Sequence, residues 1–158
     1  MLRADAAGRW SYRRVVTRPG PGESPDEAAR RTCGITAARP SIVVHSTSWR
    51  ALPEGEIVLT YVVCPDPRPW LPADALPATE PARGAAPAAP APERIEVAQV
   101  VAHAIRHLAF LLAEDPVVRA ALLCHPRLAV ALAPTGADVP TGGRTPAWAS
   151  PPSGTSAR

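Results

Sequence analysis

The alternation of apolar and polar positions is strongest between Ser41 and Asp66, in SIVVHSTSWRALPEGEIVLTYVVCPD. Its first run sets Val43, His45, Thr47 and Trp49 on one face, with Val44, Ser46, Ser48 and Arg50 on the other. The second run alternates Ile57, Leu59, Tyr61 and Val63 with Val58, Thr60, Val62 and Cys64. Period-two alternation rich in β-branched and aromatic residues predicts two strands. Pro53-Glu54-Gly55 between them supplies a fixed φ and then a residue tolerant of positive φ, so the strands should form a hairpin. Pro65 has no N–H for a ladder and closes the second strand. A lone two-stranded hairpin is marginal in water, so the rest of the chain has to cover it.

In the C-terminal half the period changes to 3.6. From Glu93 to Glu114, Val97, Val100, Val101, Ala104, Ile105, Leu108, Leu111 and Leu112 fall on one arc of a helical wheel. Asp115 as N-cap and Pro116 at the first helical position restart the chain into VVRAALLCHP, and Pro126 breaks it before a last short helix, RLAVALA. Ahead of the hairpin, Ser24 and Glu27 form a capping box, Pro25 takes the first helical position and Gly34 is a natural stop. This predicts a helix from Pro25 to Cys33, with Asp26 and Glu27 in its first turn and Arg30 and Arg31 in its last, each matched to the helix dipole. Arg9 to Thr17 reads as a short edge strand, Trp10 and Tyr12 on one side and Arg13 on a solvated face.

These elements predict a single α+β domain: strand, capped helix and hairpin over 9–65, covered by C-terminal helices over 93–133. Residues 1–8 are expected to be disordered. Residues 66–92 should form a Pro/Ala-rich loop and 134–158 a disordered tail, because neither composition buries enough apolar surface to offset chain entropy. Trp70 and Leu71 are the residues of that loop expected to dock back onto the domain.

Composition narrows the function classes. The chain has 158 residues and 21 prolines, and its 17 basic residues are all arginine, as in a GC-rich coding sequence. The net charge of +3 is spread rather than striped, so a nucleic-acid partner is not expected. Cys33, Cys64 and Cys124 stand alone, without a metal-type or disulfide-type spacing. The first nine residues lack a signal-peptide core, and no apolar run reads as long enough to span a bilayer. A cytoplasmic setting with reduced thiols is the expectation.

One segment carries a family resemblance. PGESPDEAARR, followed by Gly34-Ile35, resembles the loop–helix–loop of Nudix hydrolases. Glu23 matches that family's loop glutamate, Arg31 its arginine, and Gly34-Ile35 its closing pair; the hairpin resembles the strands that follow. The resemblance implies a site for a nucleoside diphosphate or similar ligand formed by Glu23, Arg30 and Arg31, with His45 from the hairpin. Thr32 and Cys33 stand where the family's metal-binding glutamates begin, and Thr17 replaces its first glycine. The chemistry needs those carboxylates to hold Mg²⁺ against a diphosphate, so binding is expected and efficient hydrolysis is not. No cofactor is expected beyond Mg²⁺ at that site, with Asp66 or Glu96 as the carboxylates available to replace the missing ones.

His103 and His107 have the i, i+4 spacing of a metal pair, but no third ligand is specified, and solvated or boundary histidines are expected. His45, Ser46 and Ser48 read as an ordinary polar strand face, and Cys64 and Cys124 as small buried residues. The alternative function is a non-enzymatic interaction or accessory protein that binds a partner, or a second copy, through the amphipathic helix over 93–114.

Overall fold

The computed structural model describes residues 1–36, 39–77, 80, 82–84, 86 and 94–133. The expectations for 134–158 and for most of 78–93 lie outside those residues. The architecture is α+β, as the periodicities imply. Strands β1 (Leu2–Ala4), β2 (Trp10–Tyr12) and β5 (Asp74–Ala75) form one antiparallel sheet, ordered β1-β2-β5. Strands β3 (Val43–Ala51) and β4 (Ile57–Cys64) form the hairpin. Helix α1 (Pro25–Cys33) precedes the hairpin; α2 (Val97–Glu114), α3 (Pro116–Leu123) and α4 (Pro126–Leu132) follow it.

The hairpin separates two apolar clusters. Val43, Val62 and Cys64 face the larger one, made with Ile105, Leu108, Leu122, Leu128 and Leu132 of the helices and with Leu2, Trp10 and Leu76 of the small sheet. Val63 and Val44 face the other way, against Cys33 and Ile35 at the end of α1. Period-two alternation in β4 therefore feeds two cores, which explains why both of its faces are apolar.

The strand pairing holds one surprise. A bulge lies between Ser46 and Ser48, so that Ser46 pairs with Tyr61 but Ser48 with Thr60. The extra residue, Thr47, turns its hydroxyl to the Thr60 carbonyl at 3.3 Å. An inserted residue reverses the alternation beyond it. Trp49 therefore leaves the face it was expected to share with Val43 and His45, and sits opposite Leu59 on the α1 side.

Each helix starts and stops where its caps direct. Glu27 donates its N–H to the Ser24 hydroxyl, and its carboxylate accepts the Ser24 N–H at 2.8 Å. At the other end Ile35 N–H bonds to the Arg30 carbonyl and Gly34 N–H to that of Arg31, a Schellman closure. Gly34 has φ +68°, the left-handed conformation that favours glycine, and the tip of the flexible Arg68 side chain lies over it. Helix α2 begins at Val97 rather than near Glu93, because the Gln99 side chain accepts the Glu96 N–H and closes the first turn there. Asp115 accepts from the N–H groups of Val117 and Val118, as an N-cap before Pro116 should.

Three expectations for the flanking segments need correction. Residues 1–8 are not disordered: β1 begins at Leu2, which is 2% exposed, and pairs with β2 through a turn in which Asp5 accepts from the N–H groups of Ala7 and Arg9. β2 is shorter than 9–17 and lies in the centre of its sheet, not at an edge. The loop over 66–92 contributes β5, and Leu76 is the apolar side chain it buries among the described residues; Trp70 is 75% exposed.

Asp66 joins these pieces. It is 4% exposed, the one buried charged residue among those described. Arg13 reaches both its carboxylate oxygens at 2.8 Å, and Arg3 bonds it from β1 at 2.9–3.0 Å. Its own chain closes the loop, with the Arg68 N–H on Oδ1 at 3.0 Å and the Asp66 N–H on the Leu2 carbonyl at 2.8 Å. Arg3 also donates to the carbonyls of Pro69 and Leu71. Burial pushes the Asp66 carboxyl up, but the bonds from Arg13, the Arg68 N–H and Arg3 outweigh it and bring it to about 2.

Removing one member of a buried pair leaves an uncompensated charge, so Asp66→Asn should lower stability by about 3 kcal/mol in urea unfolding. Because the folded carboxyl lies below its ordinary 3.8, its contribution is complete above that pH and is lost as pH falls toward about 2. Acid titration of the wild type should show that loss, and the Asn variant should lack it.

Candidate functional site

The expected ligand set divides between two faces of the hairpin. On the α1 side, the loop Gly20–Glu23 and the helix it opens into bring together Glu23, Arg30 and Arg31. With Gly20, Gly22 and Ile35 they line an open concavity of about 640 Å³. The capping box sets the helix register, which brings Arg31 round to the loop. There its guanidinium grips the Glu23 carboxylate bidentately, at 2.7 and 2.9 Å. Gly20 N–H adds a third bond to Glu23, at 2.7 Å. The Arg31 side-chain hydrogen bond, then the Gly20 N–H, pull the Glu23 carboxyl down to about 2. Arg30 is taken by Asp26, one turn earlier, at 2.6 Å. Both arginines face carboxylates of their own segment, so the concavity carries little spare positive charge.

His45 lies elsewhere. It is on the helix face of β3, where its ring stacks on His107 at a centroid distance of 5.1 Å. It does not join Glu23, Arg30 and Arg31. That part of the expected site is corrected by strand geometry: His45 pairs with Val62, which points to α2, whereas α1 packs on the face of Val63.

The carboxylates considered as replacements are also committed. Asp66 is held by Arg3 and Arg13, and Glu96 caps α2 far along the chain from the loop. Thr32 has a buried hydroxyl without a partner, and Cys33 is buried against Ile35 and Val63. Among the described residues, no three His, Cys, Asp or Glu side chains come together as a metal-holding group. His103 and His107 diverge in their contacts: His103 Nε2 meets the Thr47 carbonyl at 3.3 Å, while His107 stacks on His45 and packs by Phe110.

Burial makes two of the cysteines poor nucleophiles. Cys64 is fully buried, and burial pushes its thiol up to about 12. Burial also raises the Cys33 thiol. Cys124 is exposed rather than buried as expected, with its thiol turned to the Ala120 carbonyl.

The far half of the hairpin exposes adjacent apolar side chains. Trp49 is 69% exposed, Ile57 65% and Leu59 42%. Trp49 lies directly across from Leu59, and Ile57 is two residues along on the same face, so the three form one apolar surface. Among the described residues, neither β3 nor β4 has a second strand neighbour. Sequence reasoning placed Trp49 on the face of Val43 and His45, since the bulge that turns it to the other face has no marker in STSW.

Helix α2 is 18 residues long with mean hydropathy 1.2, just enough in length and composition to cross a membrane, which the sequence reading did not anticipate. Here its apolar stripe is used inside the fold: Ala104, Ile105, Leu108 and Leu111 are buried. A charge introduced at Leu108 therefore reports on folding, not on association. Compared with known proteins, the chain matches no protein family, no curated protein and no solved structure.

The Glu23–Arg31 pair is open to direct measurement. A carbon-13 titration of the side-chain carboxyls should place the Glu23 midpoint near 2 and return it toward 4.5 in Arg31→Ala. A midpoint already near 4.5 in the wild type would mean the two side chains are apart in solution.

Proposed function

We propose that the protein acts by binding another protein chain rather than by catalysis, and that the projecting half of the hairpin is its contact surface. The adjacent exposure of Trp49, Ile57 and Leu59 carries this reading. Covering an exposed Leu or Ile side chain is worth about 1.5–3 kcal/mol, and an aromatic contributes 150–250 Å² of contact. Clustered exposure of this kind marks interaction surfaces, and tryptophan is the side chain most enriched where binding energy concentrates. The amphipathic helix offers less, because α2 already covers the hairpin with its apolar stripe.

Site-specific photo-crosslinking tests the reading. A photoreactive amino acid at position 49, in cells that naturally express the chain, should give a discrete protein adduct that Leu59→Asp abolishes. The same group at exposed Val130 on α4 should give none. Equal labelling from both positions, or none from position 49, would sink the proposal.

A diphosphate ligand at the α1 loop is the second reading, supported by the concavity that gathers Glu23, Arg30 and Arg31. Such a ligand has to displace Glu23 from Arg31. A thermal-shift panel of nucleoside diphosphates, with and without Mg²⁺, separates the two readings by mass action. A rise in Tm that disappears in Arg31→Ala selects the ligand reading; no rise with any compound removes it and leaves the hairpin surface.

A further inference from the structure

The chain has four histidines, and all four lie along one seam, where the C-terminal helices meet β3. His125, at the end of α3, meets the Ser41 carbonyl at 3.0 Å just before β3 begins. His45 of β3 stacks on His107 of α2, and His103, one turn before His107, meets the carbonyl of the bulged residue Thr47. These contacts run from one end of β3 past its middle. Among the described residues, they are the side-chain polar contacts between β3 and the C-terminal helices, beside the apolar packing of the core.

The three contacts respond differently to a proton. His103 and His125 each approach a backbone carbonyl, so the ring nitrogen there is the N–H donor, and a charged ring keeps that bond. The stack has no such tolerance. His107 Nε2 is buried and has no hydrogen-bond partner, and the ring beside it is another base. A proton on that nitrogen would be a buried donor without an acceptor, and a second proton on His45 would set two cations 5.1 Å apart.

The surrounding charges do not relieve this. Along α2 the neighbours are His103 and the exposed Arg106. From α3, Arg119 turns away to the Leu112 and Ala113 carbonyls at the end of α2. Among the described residues, none of the four histidines has a carboxylate within ion-pair distance.

We propose that the β3–α2 seam is a proton-operated latch, closed by the neutral His45–His107 stack and loosened when that stack is charged, freeing the helices from the hairpin. Burial first, then the charges of His45 and His103, hold the His107 imidazole below its ordinary 6.5. With the folded value depressed, the unfolded chain binds more protons below that pH. The seam's contribution is therefore present above about 6.5 and lost as pH falls below it. This is the range in which histidine switches operate. Opening would bare Val43, Val62 and Leu108, which the closed molecule buries.

Urea unfolding between pH 8 and 5 and hydrogen exchange at both extremes test the latch on the full chain. In the wild type the unfolding constant should rise by up to tenfold per pH unit below the transition, one proton's worth. Amides of α2 should lose protection at pH 5 before those of β1 and β2. His107→Phe keeps a stacked ring and should flatten the slope, His45→Phe should make it shallower by removing the second charge, and His125→Gln should retain it. Two variants guard against one failing to fold. The same slope in both Phe variants as in the wild type, or protection lost evenly across the chain at pH 5, would overturn the proposal.

Discussion

One buried carboxylate sets the arrangement of this chain. Asp66 follows directly on the hairpin, and its two oxygens draw Arg3 from β1 and Arg13 from the end of β2. A carboxylate so nearly removed from water persists only when its lone pairs are filled, and here two guanidinium groups and a backbone N–H fill them. That requirement carries the first strand to the hairpin and anchors Arg3 on the carbonyls of the following loop. Leu2, Trp10 and Leu76 then come to lie over the helices. Ionic pairing supplies position, and apolar burial supplies most of the stability.

The hairpin is a partition between two cores, and each face has a different fate along its length. Near Val43 and Cys64 both faces are covered, one by the C-terminal helices and one by α1. Beyond the bulge the covering elements run out, while the apolar residues continue. α1 ends at Gly34, and its C-terminal end packs on Val63 and Val44. The bulge sets Trp49 on the same face as Leu59 and Ile57, where all three are exposed. The loop arginines, which on their own would suggest an anion site, spend their charge on Glu23 and Asp26.

Much of this was legible from local pattern. The bounds of α1 follow from Ser24, Pro25, Glu27 and Gly34, because capping and termination act within a few residues. The hairpin and the three C-terminal helices follow from periods of two and 3.6 and from the prolines at 116 and 126. β1 was missed because three residues carry no periodicity. Its one signal was Asp5 and Gly8 forming a turn between apolar Leu2 and Trp10. Likewise β5 is two residues long inside a proline-rich stretch, and only the partner strand makes it a strand.

The sequence by itself determined α1, the hairpin, the three C-terminal helices and the caps at Ser24, Gly34 and Asp115, which follow from periodicity and near neighbours. Tertiary structure alone decided the rest. It separated His45 from the α1 loop, since strand alternation sends Val62 and Val63 to opposite cores. It turned Trp49 outward through an insertion that no composition marks. It also gathered four histidines, spread over eighty positions of chain from His45 to His125, onto one seam. Contacts of that span are set by how the surfaces pack, and no local pattern encodes them.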